Sequence, residues 1–248
     1  MLFESDILYI DNHLLVVNKH AGHPTQADIS GDLDLLSEAK AYLKKRFDKP
    51  GDVFLGLVHR LDRPVSGAII FARTSKAASR LFEQFQKRTV QKHYLTIVEG
   101  RCVGAGIWKD YLVKKQKRVK VSKPSHPRAK FAELKWETIG YQSSLSLLRI
   151  ELTTGRPHQI RAQAAHRGFP IQGDLRYGAK RKFDGRNIGL HCYRLGITHP
   201  VKKEPLSWQI LPTMSIASWQ RFKQNVRPDV IDREFPLSLT SDDPVLLK

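Results

Sequence analysis

Residues 57–74 read LVHRLDRPVSGAIIFART. The stretch contains a short apolar run, a charged break over residues 59–63, and a second apolar run over residues 68–72 that follows a proline and a glycine. Two apolar runs separated in this way predict a strand, a break and a strand. The break holds one acid, Asp62, between Arg60 and Arg63. The sequence therefore predicts a carboxylate flanked by cations at the rim of a core.

Strands outnumber helices in the rest of the chain. Alternating or apolar runs predict two strands within residues 7–19, a surface hairpin over 108–123, and strands over 93–100, 129–141, 144–155, 189–200 and 206–211. Helical spacing predicts helices over 33–47, over 75–88 with Ser75 as N-cap, over 157–168 from Pro157 to Gly168, and over 215–224.

Most of these strands follow one another directly, which favours an α+β fold. We predict a single catalytic domain over residues 1–227, with a large mixed, mainly antiparallel sheet flanked by helices and loops. Residues 228–248 are polar and contain proline, and they are predicted to form a loosely ordered C-terminal tail.

Composition narrows the class of protein. No apolar run among the 248 residues approaches the roughly 20 that a membrane-spanning helix needs. The first ten residues carry Glu4 and Asp6 and no basic segment, so they do not form a signal peptide, and we expect a cytoplasmic protein. Cys102 and Cys192 are far apart in sequence, and the ten histidines are scattered. Reduced thiols and no metal site are therefore expected.

The charge balance points to a partner. Forty-two basic residues stand against twenty-four acidic ones, which gives a net charge of +18. Such an excess favours a polyanion, although a generic basic surface is the plain alternative. The sequence contains no basic amphipathic helix, so binding to a membrane surface is not indicated. The sign of the charge does not separate DNA from RNA.

Two stretches carry candidate chemistry. Asp62, held ionised by nearby cations, has the character of a nucleophile or a general base, unless residues 59–63 are only a solvated charged loop. Within residues 153–178, a strand passes into a helix at a cluster of polar residues: Arg156, His158, Gln159 and Arg161. Free N–H groups at a helix start, together with two arginines, favour an anion, either a phosphate or the Asp62 carboxylate. Helix capping with surface charge is the alternative.

Two further features are weaker taken alone. Tyr94 lies at the start of a predicted strand, where tyrosine is most often part of a sheet surface or a core. The hairpin over residues 108–123 is basic with almost no compensating acid, which favours phosphate contacts. Its basic residues are Lys109, Lys114, Lys115, Lys117, Arg118, Lys120 and Lys123.

In this order, four stretches resemble the RluA-type family of pseudouridine synthases. They are LLVVNKHAG, HRLDRPVSGAIIFART, KHYLTIVEG and GRPHQIRAQAAHRGFPIQGDLRYG. The second resembles the motif His-Arg-Leu-Asp-x-x-Thr-Ser-Gly, and the fourth resembles Gly-Arg-x-His-Gln-Ile-Arg followed by Gly-Asp-x-x-Tyr-Gly. The chain departs from the family pattern at His20, Val65 and Pro157, which are positions that shape turns rather than supply charge.

The resemblance implies a fold and an activity. It implies the pseudouridine synthase fold and the isomerisation of uridine in ribosomal or transfer RNA, without a metal or a cofactor. Asp62 would be the catalytic aspartate, Arg161 would pair with it, and Tyr94 would stack on the target base, which must leave the RNA helix. RNA contacts are expected from a further set of side chains: Arg60, Arg63, His59, Arg156, His158, Lys115, Lys117 and Arg118.

Two other functions compete with this interpretation. A non-catalytic RNA-binding or RNA-chaperone protein on the same fold would not need Asp62, Tyr94 and Arg161 together. A metal-dependent nuclease would need several clustered acids, whereas the sequence offers one acid among arginines. We expect no small N-terminal S4 module, and we expect a monomer.

Overall fold

The protein is described by a computed structural model over residues 2–116, 118–185 and 187–236. Within these residues the chain forms two compact units, one of residues up to 91 together with 192–210, and the other of residues 92–191 together with those from 211 onward. Within the described residues, eleven strands and five helices occur, and no helix is long and apolar enough to cross a membrane. The single domain expected over residues 1–227 stays a prediction.

The first unit contains a sheet with two helices. Its strands are β1 (Ile7–Ile10), β2 (Leu14–Lys19), β3 (Gly56–Leu57), β4 (Ser66–Ala72), most of β10 (Leu190–Thr198) and β11 (Pro205–Gln209). Its helices are α1 (Leu35–Arg46) and α2 (Ser75–Lys87). The strand order is β1-β2-β4-β10-β11, and β3 also pairs with β4.

The middle of this sheet is apolar on both faces. Residues 14–17 and 68–72 have no exposed surface, which explains why both runs are continuous rather than alternating. Ala77 and Leu81 of α2 pack in one cluster with residues of β2, β4 and β10. Gly67 begins this core of β4 with φ of +118°, and a Cβ there would lie 2.2 Å from the carbonyl oxygen of Cys192. Only glycine permits so close an approach.

The second unit contains an antiparallel sheet. Its strands are β5 (Gln91–Glu99), β6 (Ala105–Lys115), β7 (Arg118–Ser122), β8 (Lys130–Gln142) and β9 (Leu145–Leu152), in the order β5-β9-β8-β6-β7. Each neighbouring pair is antiparallel. The unit also holds α3 (Gln159–His166), a 3₁₀ turn (Leu175–Tyr177), α4 (Ala217–Arg221) and α5 (Pro228–Ile231).

A buried arginine ties the C-terminal segment to the second unit. The Arg149 guanidinium donates to the Ile231 carbonyl at 3.1 Å and the Glu234 carbonyl at 3.2 Å, and to the Glu137 carboxylate at 2.6 Å. Its guanidinium carbon also lies 4.1 Å from the ring centre of Phe235. Residues 231, 234 and 235 therefore contact Arg149 of β9, and the predicted tail over residues 228–248 stays a prediction. Residues 237–248 of that predicted tail lie outside the described residues.

The α+β class with a mainly antiparallel sheet is confirmed, but several predicted boundaries are wrong. Helix α2 is capped by Thr74, whose side chain accepts from the Ala77 N–H, and Ser75 is its first residue. Helix α3 begins at Gln159, so Pro157 precedes it. The last predicted helix shrinks to the five residues of α4. The hairpin is formed by the pairing of residues 111–115 with 118–122, but Trp108, Leu112, Val113 and Val119 are buried, so only part of it lies at the surface.

Candidate active site

In the first unit, Asp62 lies in the turn between β3 and β4. Its carbonyl oxygen accepts the Val65 N–H at 3.0 Å, which closes the turn. Leu61 and Val65 on either side are buried, and the Leu61 carbonyl accepts the Thr25 hydroxyl at 2.8 Å. Two inward apolar side chains thus fix the loop and leave Asp62 half-buried at its rim.

A buried lysine clamps the same turn. Lys19 ends β2 with no exposed surface, and its Nζ donates to the carbonyls of His20, Arg63 and Val65 at 3.0, 3.1 and 2.7 Å. Three N–H donors therefore meet three backbone acceptors. Burial lowers the pKa of Lys19 to about 7, and the charge of Asp62 opposes that shift. Two of the three acceptors follow Asp62 in the turn, so the lysine fixes the backbone of the turn, and its charge also interacts with that of the Asp62 carboxylate.

The first two residues of the His-Arg-Leu-Asp segment differ in role. His59 Nε2 accepts the Ile70 N–H at 3.0 Å, and its ring stacks on Phe85 with centroids 4.8 Å apart. This residue holds the loop against β4 and α2. Arg60 is exposed, as a residue that reaches into RNA would be. RNA contact by either residue stays a prediction.

Arg63 is engaged inside the protein. Its Nε donates to the Gly22 carbonyl at 3.0 Å, its Nη1 donates to the Ser30 hydroxyl at 3.0 Å, and its Nη2 pairs with Asp32. The guanidinium lowers the pKa of the Asp32 carboxyl. Arg63 therefore joins the Asp62 turn to the loop over residues 22–32, and its predicted contact with RNA is not tested by this arrangement.

In the second unit, the entry to α3 is built by hydrogen bonds to a glutamine side chain. Gln159 Oε1 accepts the Arg156 N–H at 3.0 Å and the Thr154 hydroxyl at 2.7 Å. His158, the N-cap, adopts a left-handed conformation with φ of 51°. Arg156 Nε donates to the Phe131 carbonyl at 2.8 Å. These bonds fix the segment that leads into α3, and the anion binding predicted for this cluster stays a prediction.

Arg161 forms a buried bidentate ion pair with Asp174. Its Nε lies 2.6 Å from Asp174 Oδ2 and its Nη2 lies 2.9 Å from Oδ1, with 5% and 2% of the two side chains exposed. This geometry locks the plane of the guanidinium. The pairing of Arg161 with Asp62, which the resemblance implies, stays a prediction.

Two tyrosines belong to the second unit. Tyr94 lies in β5 and is 8% exposed. Tyr177 places its hydroxyl oxygen 2.9 Å from the Val119 N–H, which donates to it, and 2.9 Å from His158 Nδ1. The guanidinium carbon of Arg161 lies 5.0 Å from the centre of the Tyr177 ring. Tyr177 therefore joins the hairpin, the entry of α3 and the Arg161 ion pair.

The end of the basic hairpin is exposed. Lys115 and Arg118 face each other across the β6–β7 ladder, and both side chains lie at the surface. Lys117, the third predicted RNA contact of the hairpin, lies outside the described residues. Within the part of the chain that the structure covers, no group of three or more histidine, cysteine or acidic side chains has the geometry of a metal site.

Sequence comparison identifies the family. The sequence model described as RNA pseudouridylate synthase matches residues 13–166, more than half of the chain. The chain belongs to the RNA pseudouridylate synthase family. Among curated proteins it is similar to the uncharacterized RNA pseudouridine synthase YhcT of Bacillus subtilis, with 34% identity over 81% of this chain and 66% of that protein.

Other members of the family give the same picture. The chain is 34% identical to the ribosomal large subunit pseudouridine synthase C of Escherichia coli, over 78% of this chain and 62% of that protein. The match thus spans about two thirds of the length of these relatives. The structure of human RNA pseudouridylate synthase domain containing 4 shares the fold, with a TM-score of 0.72 and 21% identity over 94% of this chain and 95% of that one.

Sequence reasoning missed three residues that hold parts of the candidate site in place. Lys19, Asp174 and Tyr177 lie inside stretches that carry the resemblance, but they received no role. Asp174 and Tyr177 are the named residues of the Gly-Asp-x-x-Tyr-Gly segment. The signal for Lys19 is a lysine at the end of a strand that is otherwise apolar, because a charge so close to a core needs partners.

Proposed function

We propose that the protein converts uridine to pseudouridine in RNA. The observation that carries this proposal is the family match over residues 13–166, which includes Asp62, Tyr94 and Arg161. The fixed turn around Asp62 supports it, because a reacting carboxylate must be held in place relative to its substrate. The non-catalytic RNA-binding alternative is not favoured, since the whole set of site residues is retained.

The reaction assigns a task to each residue. The bond between N1 of uracil and C1′ of ribose breaks, a bond between C5 and C1′ forms, and the proton at C5 is lost while N1 gains one. Asp62 would act on the ribose or the base as a nucleophile or a general base. Tyr94 would stack on the uracil. Arg161 would orient the Asp62 carboxylate.

RNA binding would use the basic surface. Extrusion of a uridine costs a few kcal/mol, and contacts to flanking phosphates offset that cost. Arg60, Arg156, His158, Lys115, Lys117 and Arg118 are the proposed RNA contacts, together with Arg63 and His59 where RNA reaches the Asp62 turn. Relatives named ribosomal large subunit pseudouridine synthase C favour ribosomal RNA of the large subunit as the substrate.

Nucleotide-resolution mapping tests this proposal. Total RNA from cells with and without the gene is treated with carbodiimide, and reverse-transcription stops are compared. We expect one or a few stops in large-subunit ribosomal RNA to disappear without the gene and to return with the wild-type protein. Unchanged stops in all RNA would contradict the proposal, and lost stops confined to transfer RNA would contradict the choice of substrate.

A further inference from the structure

A pocket of about 340 Å³ opens between β7, α3 and the 3₁₀ turn of the second unit. Its volume lies at the lower end of the range for small-molecule sites. The floor is apolar and is formed by Val119, Val121, Ala162 and Ala165, beside the Tyr177 ring. Of the proposed RNA contacts, Arg118 lines this pocket, and no role assigned above uses its apolar floor.

The rim of the pocket is basic. His166 of α3 and Arg176 of the 3₁₀ turn line it with exposed side chains. Arg118 and Lys120 also line it, and their exposed side chains start from the other face of β7, the edge strand, because they alternate with Val119 and Val121. No acidic residue lines the pocket, and among the residues described here Arg118 and Lys120 make no ion pair. Cations from three elements around an apolar floor complement a ligand with a flat apolar part and phosphates.

Hydrogen bonds hold the walls of the pocket in place. The Tyr177 hydroxyl bonds to the Val119 N–H and to His158, and Leu112, Val119, Ala132 and Ala162 pack in one cluster that Tyr177 contacts. The site is therefore formed before any ligand binds, which removes an ordering cost from binding. Ala162 and Ala165 follow Arg161 on α3, so the pocket lies within about one helical turn of Arg161.

We propose that this pocket binds one unpaired nucleotide of the RNA substrate, outside the position of the uridine that reacts. The base would lie on the alanines of α3, and the phosphates on either side would meet Arg118 and Arg176. The proposal rests on the proposed function, because it takes the ligand to be RNA. An unpaired nucleotide is favoured over a duplex, since a base must leave its stack to reach the apolar floor.

Three variants separate the floor from the rim. Ala165→Phe fills the floor without a change of charge, and Arg118→Gln with Arg176→Gln removes two rim charges. The matched control, Lys44→Gln with Lys45→Gln, removes two exposed charges from α1 of the first unit. Circular dichroism and thermal melting identify any variant that fails to fold, and Ala165→Leu replaces Ala165→Phe in that case.

Binding is measured by fluorescence anisotropy at several salt concentrations. The two probes are a labelled oligouridylate of ten nucleotides and a labelled blunt-ended RNA duplex. The rim variant should lose roughly tenfold or more in affinity for the oligouridylate. The slope of the logarithm of the association constant against the logarithm of the salt concentration should fall in magnitude by about two, because each lost phosphate contact lowers it by about one. Ala165→Phe should weaken binding of the oligouridylate several-fold with an unchanged slope, and should leave binding of the duplex unaltered. The control should resemble the wild type in its affinity for the oligouridylate.

Normal binding of the oligouridylate by Ala165→Phe, or equal losses in the rim variant and the control, would overturn the proposal. Pseudouridine formation by the same proteins on large-subunit ribosomal RNA keeps the two proposals apart. Wild-type protein that binds through the pocket but forms no pseudouridine would contradict only the proposed function. Wild-type protein that forms pseudouridine while Ala165→Phe binds normally would contradict only the pocket.

Discussion

The turn that carries Asp62 and the helix that carries Arg161 are each held by a buried charge of opposite sign. Lys19 grips backbone carbonyls beside Asp62, whereas Asp174 grips the Arg161 guanidinium itself. In the first region the buried charge binds the backbone and not the proposed functional side chain. In the second region the buried charge binds the proposed functional side chain itself. Stability and activity should therefore be separable at Asp62 and inseparable at Arg161.

The largest effect is expected for Asp62→Asn. The variant keeps the turn, because Lys19 holds main-chain atoms, but it lacks the carboxylate. Pseudouridine formation should fall by about 100-fold to 10,000-fold, the range for loss of an acid–base group. RNA affinity and the melting temperature should stay near those of the wild type. Asp32→Asn is the control, an exposed acid that pairs with Arg63. A large drop in the melting temperature of Asp62→Asn alone would break the comparison.

Asp174→Ala should damage stability and activity together. Removal of one partner leaves the Arg161 charge buried, which costs about 3–5 kcal/mol in the free energy of unfolding. Urea denaturation measures this loss. The double variant Arg161→Met with Asp174→Leu should recover most of the stability, since neither charge remains. Its activity should stay absent. A double variant no more stable than Asp174→Ala would contradict the ion-pair account.

Lys19→Met should lower stability more than Lys40→Met. The first change leaves the carbonyls of His20, Arg63 and Val65, the last of them buried, without their donor and should cost about 2–4 kcal/mol. The second removes an exposed lysine of α1 and should change the free energy of unfolding by less than about 0.5 kcal/mol. Equal unfolding midpoints in urea for the two variants would show that the clamp does not hold the turn.

The pH dependence sharpens the same point. The pKa of Lys19 is about 7 in the folded protein, against an ordinary value of 10.5. Between these values the unfolded chain binds more protons than the folded one, so the free energy of unfolding rises with pH. The stability of the wild type relative to Lys19→Met should therefore increase from pH 7 to pH 9 and stay constant below pH 6. A flat difference across this range would mean that Lys19 is not desolvated.

Arg63→Gln should have the smallest effect. Arg63 is 42% exposed, and exposed ion pairs contribute about 0–1 kcal/mol. The variant should therefore melt close to the wild type while the loop over residues 22–32 loses its tie to the Asp62 turn. Amide hydrogen exchange of that loop, faster in Arg63→Gln than in Lys40→Met, checks this expectation. Slowed exchange would contradict it.

Local patterns in the sequence were enough to predict most strands and helices. Continuous apolar runs such as residues 68–72 become buried strands because two covered faces remove the need for polar positions. The first residues of the helices were harder to predict from the sequence. Thr74 and Ser75 are both good caps by type, and the difference between them lies in which side chain accepts the Ala77 N–H. Proline is common at the first position of a helix, but His158 after Pro157 has a left-handed backbone conformation, so the helix begins only at Gln159.

The partners of the site residues depend on long-range contacts. Asp174 follows Arg161 by thirteen residues, and the turns between them decide that their side chains meet. Lys19 reaches carbonyls more than forty residues further along the chain. Backbone acceptors have no signature in a sequence, so a motif can name Asp62 but not the group that holds its turn. Tyr177 is a similar case, since one of its partners is the Val119 N–H.

The division of the chain has a consequence for how the protein is made. The core of the first unit includes Leu195 and Ile197, which are synthesised after all of residues 92–191. At ribosomal rates of about 5–20 residues per second, the N-terminal strands wait roughly 5–20 s for them. The second unit waits still longer, because the carbonyls of residues 231 and 234, to which Arg149 donates, are synthesised after the last core strand of the first unit. The first unit is therefore able to close before the second, although the second holds most of the middle of the chain.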